Sequence, residues 1–269
     1  MNPAFTPFLP YRNPSERNWR IAGKSVQGMS HRLQNDPCQD SCGWFETKEL
    51  AGIAVADGAG TAALGELGSA VAVIAAVNSM VRMHTSERDL RNIQAAEIAL
   101  RAATEDAAKA LLEEAKRLGK PIRDLATTLI VVLAAPQFVS VGQVGDGAVI
   151  VSDREFNLVT LASPGLQEYV NEPTFLTSAN ALQKAHFQTQ SIEAAHVAAI
   201  TDGLQLLSLR MPQAIAHTGF FTPIFKHLAE LPVHQALLEI GALLASDKVA
   251  QRTDDDVTLV IASLPQNSR

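Results

Sequence analysis

The run Gly52-Ile53-Ala54-Val55-Ala56-Asp57-Gly58-Ala59-Gly60 constrains this chain more than any other stretch. A continuous apolar segment ends on an aspartate, glycines follow at once, and a long apolar stretch with helical spacing comes next. That order predicts a buried strand, a tight turn and a helix. One carboxylate and several bare backbone groups then stand together at a strand end, where they can hold a metal ion or receive a phosphate. Four more aspartates share the context. Asp40, Asp146, Asp202 and Asp255 each lie where a strand-like run begins or ends.

Around this stretch the chain alternates clearly in texture. Met1 to Asn18 carries Pro3, Pro7, Pro10 and Pro14, which predicts an extended or irregular tail. Trp19 to Val26 reads as a first strand, Gln27 to Asp40 as a loop, and Ser41 to Thr47 as a second strand leading to the one that ends at Asp57. Ala62 to His84 and Asn92 to Leu118 read as two long helices, the second ended by Gly119 and Pro121. Thr127 to Ala134 is β-branched and strand-like. Phe138 to Val144 and Ala148 to Ser152, joined by Gly145-Asp146-Gly147, carry a hairpin signal. Ser163 to His186 is mixed and polar, a loop or small subdomain. His196 to Ile200 is an apolar run into Thr201-Asp202-Gly203. Short helices are expected over Leu204 to Ala229, a third long helix over Val233 to Lys248, and a last strand over Val257 to Ala262.

No internal repeat or composition break divides these elements. They predict one domain over residues 19–264, with tails at 1–18 and 265–269. The expected class is α+β: a four-layer αββα sandwich, two mainly antiparallel sheets flanked by helices. A length of 269 residues supports so large a core. The net charge of −6 and the lack of a basic stripe argue against nucleic acid as a partner. Cys38 and Cys42 lack the further cysteines of a zinc set, so two reduced thiols are expected. No basic, apolar leader opens the chain, and Ala70 to Val77 is far short of a membrane span. The expectation is a cytoplasmic protein that uses no membrane.

Each aspartate taken singly also fits a plainer role, since Asp-Gly is a common turn and Asp a common helix cap. Asp124, Asp153 and Asp247 lack the strand-end context and read as surface. Recurrence at five strand ends, together with Ala126-Thr127-Thr128 at a strand start, favours a shared site. Strand ends of a sheet sandwich cluster in space. Oxygen-only ligands suit Mg²⁺ or Mn²⁺. Two such ions can bridge a water, lower its pKa and clamp a phosphoryl oxygen.

The ordered set Gln39-Asp40, Val55-Ala56-Asp57-Gly58-Ala59-Gly60, Thr127-Thr128, Gly145-Asp146-Gly147, Thr201-Asp202-Gly203 and Asp255-Asp256-Val257-Thr258 resembles the metal-dependent protein phosphatases, the type-2C serine/threonine phosphatase family. The likeness runs from Trp19 to Ala262. It is greatest with the stand-alone bacterial branch, which has Ser-His ahead of Pro-Cys-Gln-Asp and a stretch like Glu168-Tyr169-Val170-Asn171-Glu172. The resemblance implies the sandwich fold and hydrolysis of phosphoserine or phosphothreonine in proteins by a metal-activated water at a binuclear Mn²⁺ or Mg²⁺ centre. It further implies phosphoprotein substrates and a cognate serine/threonine kinase. Asp57 would bridge both ions, the Gly58 carbonyl would bind the second, and Asp202 and Asp255 would complete the first. Asp40 would hold metal-bound water, and Asp146 with Asp202 would form a third-metal site. Ser163 to His186 falls where the family has its flap.

Two departures stand out. Many family members carry a phosphate-binding arginine where this chain has Asn35. His31 or Arg32 is the substitute if the loop folds back, although a histidine in such a loop is equally a surface or packing residue. Eukaryotic members carry a general-acid histidine where this chain has Ala59. Leaving-group protonation then falls to metal-bound water or to His31, which joins Asp57 and Asp40 as a catalytic candidate.

Two other readings compete. Gly58-Ala59-Gly60-Thr61-Ala62-Ala63 loosely fits a dinucleotide fingerprint, but Asp57 would face the pyrophosphate. A phosphatase-like module that binds phosphoproteins without turnover is the stronger rival. The five retained aspartates favour the enzyme.

Overall fold

The computed structural model describes residues 19–86, 89–162 and 174–264. The two expected tails and residues 163–173 of the expected flap lie outside them, as does the 168–172 stretch.

Among the described residues ten strands form two five-stranded sheets, and every pairing is antiparallel. β1 (Arg20–Val26), β2 (Asp40–Glu46), β3 (Ala51–Asp57), β4 (Leu129–Ala135), β5 (Phe138–Val144), β6 (Ala148–Ser152), β7 (Leu158–Ala162), β8 (His186–Ser191), β9 (His196–Ile200) and β12 (Val257–Ser263) are the sheet strands. β10 (Leu209–Arg210) and β11 (Ile215–Ala216) make a separate two-stranded ribbon. The first sheet runs β1-β12-β9-β6-β7 and the second β2-β3-β4-β5-β8. The helices are α1 (Met29–Gln34), α2 (Gly65–Thr85), α3 (Ile93–Leu118), α4 (Ala181–Lys184), α5 (Gln205–Ser208), α6 (Thr218–Glu230), α7 (Val233–Leu244) and α8 (Asp247–Ala250).

Strand periodicity sorts side chains into three buried layers. In β3, Ile53 and Val55 face the other sheet, while Ala54 and Ala56 face α2 and α3. In β4, Ile130 and Val132 point inward, and Val131 and Leu133 point to the helices. In β12, Val260 and Ala262 face the second sheet, and Leu259 and Ile261 pack beneath α6 and α7. Burial on both faces is why these strands read as continuous apolar runs rather than alternating ones. The result is the expected αββα sandwich. α2 is long and apolar enough to cross a membrane by length and composition. Here its Ala72, Val73, Ala76 and Met80 are buried against α3 and the second sheet.

Four local expectations are corrected. The loop over Gln27 to Asp40 contains α1, closed by Asn35 in the left-handed conformation (φ 56°). The helix expected over Val233 to Lys248 stops at Leu244, and α8 follows as a separate turn. β7 and β8 were not expected at all. They lie at sheet edges, where polar and apolar residues mix. The Gly145-Asp146-Gly147 step does not close a hairpin. β5 pairs with β4 and β8, whereas β6 pairs with β9 and β7 in the other sheet. Gly145, at φ +101°, turns the chain across the sandwich instead. A tight-turn signal marks a change of direction and not the partner of the next strand.

Candidate metal centre

The row Ile53, Val55, Asp57 along β3 faces the first sheet, so Asp57 extends the inner apolar layer to its rim. Asp40 opens β2 directly opposite Asp57 in the ladder and belongs to the row of Cys42 and Trp44, which also pack on that layer. Across the sandwich, β9 runs into Asp202 and β12 starts just after Asp255. These two strands are antiparallel neighbours, so both residues lie at the same end of the first sheet. The chain crossing at Asp146 completes the rim.

The backbone around Asp57 is clamped. Thr128 N–H donates to the Asp57 carbonyl (2.8 Å), Thr127 Oγ1–H does the same (2.9 Å), and Asp57 N–H donates to Thr128 Oγ1 (2.9 Å). This is what the Thr127-Thr128 pair does. Gly58 cannot carry a side chain, because a Cβ there would lie 2.3 Å from the Gly65 carbonyl oxygen at the start of α2. With its amide oriented to suit its neighbours, Gln39 Nε2 donates to the Gly58 carbonyl (2.9 Å) and the Ala59 carbonyl (3.2 Å). A carbonyl oxygen has two lone pairs, so Gly58 retains one for another partner. The Asp146 turn is tied down by Gln143 Nε2, which donates to the Gly147 carbonyl (2.7 Å), and by Gln205 Nε2, which donates to that of Asp146 (2.5 Å).

Asp40 is buried, 3% exposed. Its Oδ2 accepts hydrogen bonds from the hydroxyls of Thr201 and Thr258, both 2.7 Å. Its Oδ1 is buried with no hydrogen-bond partner. An orphaned carboxylate oxygen in a buried site is costly unless a cation or a polar group meets it.

The electrostatics of the surroundings favour a cation. Burial pushes the Asp57 carboxyl far above the usual range, and Asp40, Asp202, Asp255 and Asp146 all push it further. Burial also raises Asp40, against the two threonine hydroxyls and with help from Asp256 and Asp202. Burial raises Asp202, assisted by Asp146 and Asp255 and opposed by the Gly203 N–H and a hydrogen-bonding contact with the Asp57 carboxyl. Asp146 and Asp255 are raised too, each chiefly by burial, although Asp255 keeps an outer side open to solvent. Thus all five aspartates are brought together, and all five disfavour the charged state unless positive charge is supplied.

The donor chemistry is hard oxygen throughout, which suits Mg²⁺ or Mn²⁺. Among the described residues no three His, Cys, Asp or Glu side chains enclose a point that would hold an ion by themselves. Hard ions of this kind accept backbone carbonyls and retain waters, so an all-side-chain cage is not required of them.

His31 and Arg32 lie on α1, which loop 28–39 folds back onto the segment before β12. Ser30 N–H and Oγ–H both donate to the Asp254 carbonyl (2.9 and 2.7 Å). His31 Nδ1 lies 2.9 Å from Asp256 Oδ2. Burial lowers the pKa of this imidazole, but Asp256, Asp255 and Asp36 together outweigh it, and the net shift is upward. Arg32 is exposed and borders a small cleft shared with Asp255. Asn35 is exposed at the end of α1 in a conformation that asparagine tolerates better than arginine. Ala59 is buried with Ala62 and Ala126 in a small apolar patch, so no acid stands there.

Asp256 is the residue that sequence reasoning missed. It is 2% exposed, yet within Asp254-Asp255-Asp256 only its step next to β12 distinguishes it. Thr201 and Thr258 were noted as motif members without their function as donors to Asp40. Cys38 and Cys42 are free thiols, both pushed up chiefly by burial.

Comparison with known proteins decides the family. Residues 27–240 match the profile of protein phosphatase 2C. The chain belongs to that family. As a member it is a protein phosphatase, an enzyme that acts on phosphoproteins. It is 35% identical over 254 residues to serine/threonine-protein phosphatase 3 of Escherichia coli strain K12, covering 91% of this chain and 98% of the relative. Solved structures share its fold. Stp1, a serine/threonine phosphatase from Staphylococcus aureus, superposes with a TM-score of 0.62 at 16% identity, over 96% of this chain and 100% of that one. The catalytic domain of the serine/threonine phosphatase PstP, solved with two manganese ions, gives 0.58 at 16% identity, over 93% and 99%. The 2C-type αββα architecture expected from the sequence is therefore the architecture found.

Proposed function

We propose that this protein phosphatase removes phosphate from phosphoserine and phosphothreonine in proteins, at a centre holding two Mn²⁺ or Mg²⁺ ions and in which Asp146 and Asp202 offer a place for a third. The observation that carries the reading is the buried, partnerless Asp40 Oδ1 in a site where Asp40 and three other carboxylates all raise Asp57. The E. coli relative, named a serine/threonine-protein phosphatase, and the two manganese ions of PstP support it. When bound, the ions supply a water of lowered pKa and a positive clamp for phosphoryl oxygens.

This chain's own groups do the rest. Asp57, fixed by Thr127 and Thr128, presents its carboxylate between the sheets, and the Gly58 carbonyl stands beside it. Asp202 and Asp255 face it from the first sheet. Asp40, held by Thr201 and Thr258, keeps Oδ1 free to accept a hydrogen bond from the attacking water and orient it. His31 offers a proton to the departing serine or threonine oxygen, which Ala59 cannot do. Arg32, one residue on, offers a planar cation to phosphate oxygens. A cognate serine/threonine kinase supplies the substrate. The rival, a module that binds phosphoproteins without turnover, has no supporting observation, since all five aspartates remain clustered.

The test is hydrolysis of phosphoserine, phosphothreonine and phosphotyrosine peptides with Mn²⁺, with Mg²⁺ and with chelator. Turnover of the first two that vanishes in chelator is expected. Equal turnover in chelator, or phosphotyrosine as the preferred substrate, overturns the proposal.

A further inference from the structure

The Asp256 carboxylate takes part in none of the steps above, yet it is buried and fully engaged. Oδ1 accepts from Gly28 N–H (2.6 Å), and Oδ2 accepts from Gln39 N–H (2.5 Å) while facing His31 Nδ1 (2.9 Å). These three contacts fall at the first, the fourth and the last residue of loop 28–39. Gly28 and Gln39 bring only backbone N–H groups, which any acceptor of the right shape would satisfy. His31 brings a ring with two nitrogens, and only one of them meets the carboxylate.

We propose that Asp256 is a positioning residue that holds Nδ1 of His31 as the protonated nitrogen, so that Nε2 is the atom free for the substrate's leaving oxygen. The inference rests on the proposed phosphatase reaction. Its physical basis is electrostatic. His31 Nδ1 is buried and makes no well-aimed hydrogen bond, but at 2.9 Å a bare nitrogen would set its lone pair against the carboxylate, whereas a protonated one gains an ion pair. The other ring nitrogen is thereby committed to proton exchange with whatever meets it. The ring is also fixed in orientation, because the same carboxylate holds both ends of its loop. Asp255, one residue away, is among the aspartates that raise Asp57, and His31 and Asp255 each respond to the other's charge. The neighbouring aspartates thus divide the work between ions and imidazole. In the step itself, the proton on Nε2 passes to the serine or threonine oxygen as its P–O bond breaks. The electron pair of that bond stays on the oxygen, and His31 regains a proton from solvent through Nε2.

Two measurements test this. The first is ring ¹⁵N spectroscopy of the metal-free protein at alkaline pH. His31 is expected with its proton on Nδ1, and a proton on Nε2 with Nδ1 bare would overturn the proposal whatever any variant does. The second is a kinetic cycle of Asp256→Asn, His31→Ala and the double variant. His31→Ala is expected to lower kcat for a phosphoserine peptide about 100-fold, and Asp256→Asn about tenfold. Both should lower kcat for p-nitrophenyl phosphate less than for the peptide, since that leaving group hardly needs an acid. The double variant should be no worse than His31→Ala alone, because Asp256 acts through His31. Multiplying losses, or equal losses on both substrates, would show that Asp256 only fastens the loop. If wild-type protein with Mn²⁺ hydrolyses neither substrate, the phosphatase reading itself has failed, and the ring tautomer still judges the Asp256–His31 relationship.

Discussion

Asp40 and Asp57 face each other directly across the β2–β3 ladder, on the face that looks into the sandwich. Directly opposed like charges destabilise a sheet, and here both are largely buried as well. The largest charge effects on Asp57 come from the four other aspartates. The fold therefore holds a repulsive cluster that a metal ion would relieve. Mn²⁺ or Mg²⁺ is expected to stabilise the metal-free protein by about 3 kcal/mol at a hundredfold excess over Kd, raising Tm by roughly 5–10 °C. Calorimetry with and without chelator measures this. An unchanged Tm would mean that no ion binds the cluster.

The same repulsion separates function from stability at Asp57. Asp57→Asn keeps the shape and removes a carboxyl that the metal-free fold holds far above its usual pKa. Activity with Mn²⁺ is expected to fall at least about 1000-fold, the scale of losing a residue that contacts the reacting groups. Metal-free stability is expected to rise by about 1–2 kcal/mol, as the fold no longer has to keep a buried carboxyl protonated. Urea unfolding in chelator reads the second effect. A variant less stable than wild type would show that the carboxylate makes favourable contacts of its own.

Asp146 is expected to behave differently. Its turn is tied by Gln143 and Gln205 through backbone carbonyls rather than through its carboxylate. Asp146→Ala should keep the fold and raise the Mn²⁺ concentration needed for half-maximal activity about tenfold. Loss of folding would instead assign Asp146 to the turn.

How much of this could be read from the sequence differs from residue to residue. Asp57 was legible because the strand period places it two residues beyond Val55, on the row that becomes the inner layer. The sandwich was legible because burial on both faces leaves long apolar runs. Asp146 was legible as a site residue but not as a crossing between sheets, since Gly145-Asp146-Gly147 has the same local chemistry in either case. α1 was hidden because it is six residues long and buries none of them, so it leaves no apolar stripe. Asp256 was hidden for a different reason. Its value comes from Gly28, His31 and Gln39, more than 200 positions away in the chain, and no local pattern records such a meeting.

Arg32 can be separated from its neighbour. It is exposed, so its removal leaves no buried gap. Arg32→Ala should raise KM for a phosphopeptide about threefold to tenfold, the range of one charge-assisted contact at a solvated rim, and leave kcat unchanged. Steady-state kinetics at several salt concentrations checks this, since a rim charge gives a salt-dependent effect. An unaltered KM would remove Arg32 from the phosphate site.

His196 sets an acid limit that is independent of the metal centre. It is 1% exposed, its ring stacks against Phe156 and Phe225, and its Nδ1 lies 2.9 Å from Ser263 Oγ. Burial, aided by the charge of Arg154, pulls its pKa down to about 4. The unfolded chain protonates this residue near the ordinary histidine value of about 6.5. Between these two values the unfolded state binds a proton that the folded state refuses, so stability falls as pH falls through the window. Above it the full stability is present, and below it no further loss occurs. From about pH 7 to about pH 5 the loss is about 2 kcal/mol by linkage. The raised aspartates act in the opposite sense in metal-free protein, because there the folded state binds the extra protons. The comparison must therefore be differential. His196→Phe keeps the stack and removes the titration. Its cost from the lost Ser263 contact is the same at every pH. Urea unfolding of wild type and His196→Phe at the two pH values should show a gap in stability that narrows by about 2 kcal/mol at the lower pH. A gap independent of pH would mean that His196 takes up its proton within the folded protein as readily as outside it.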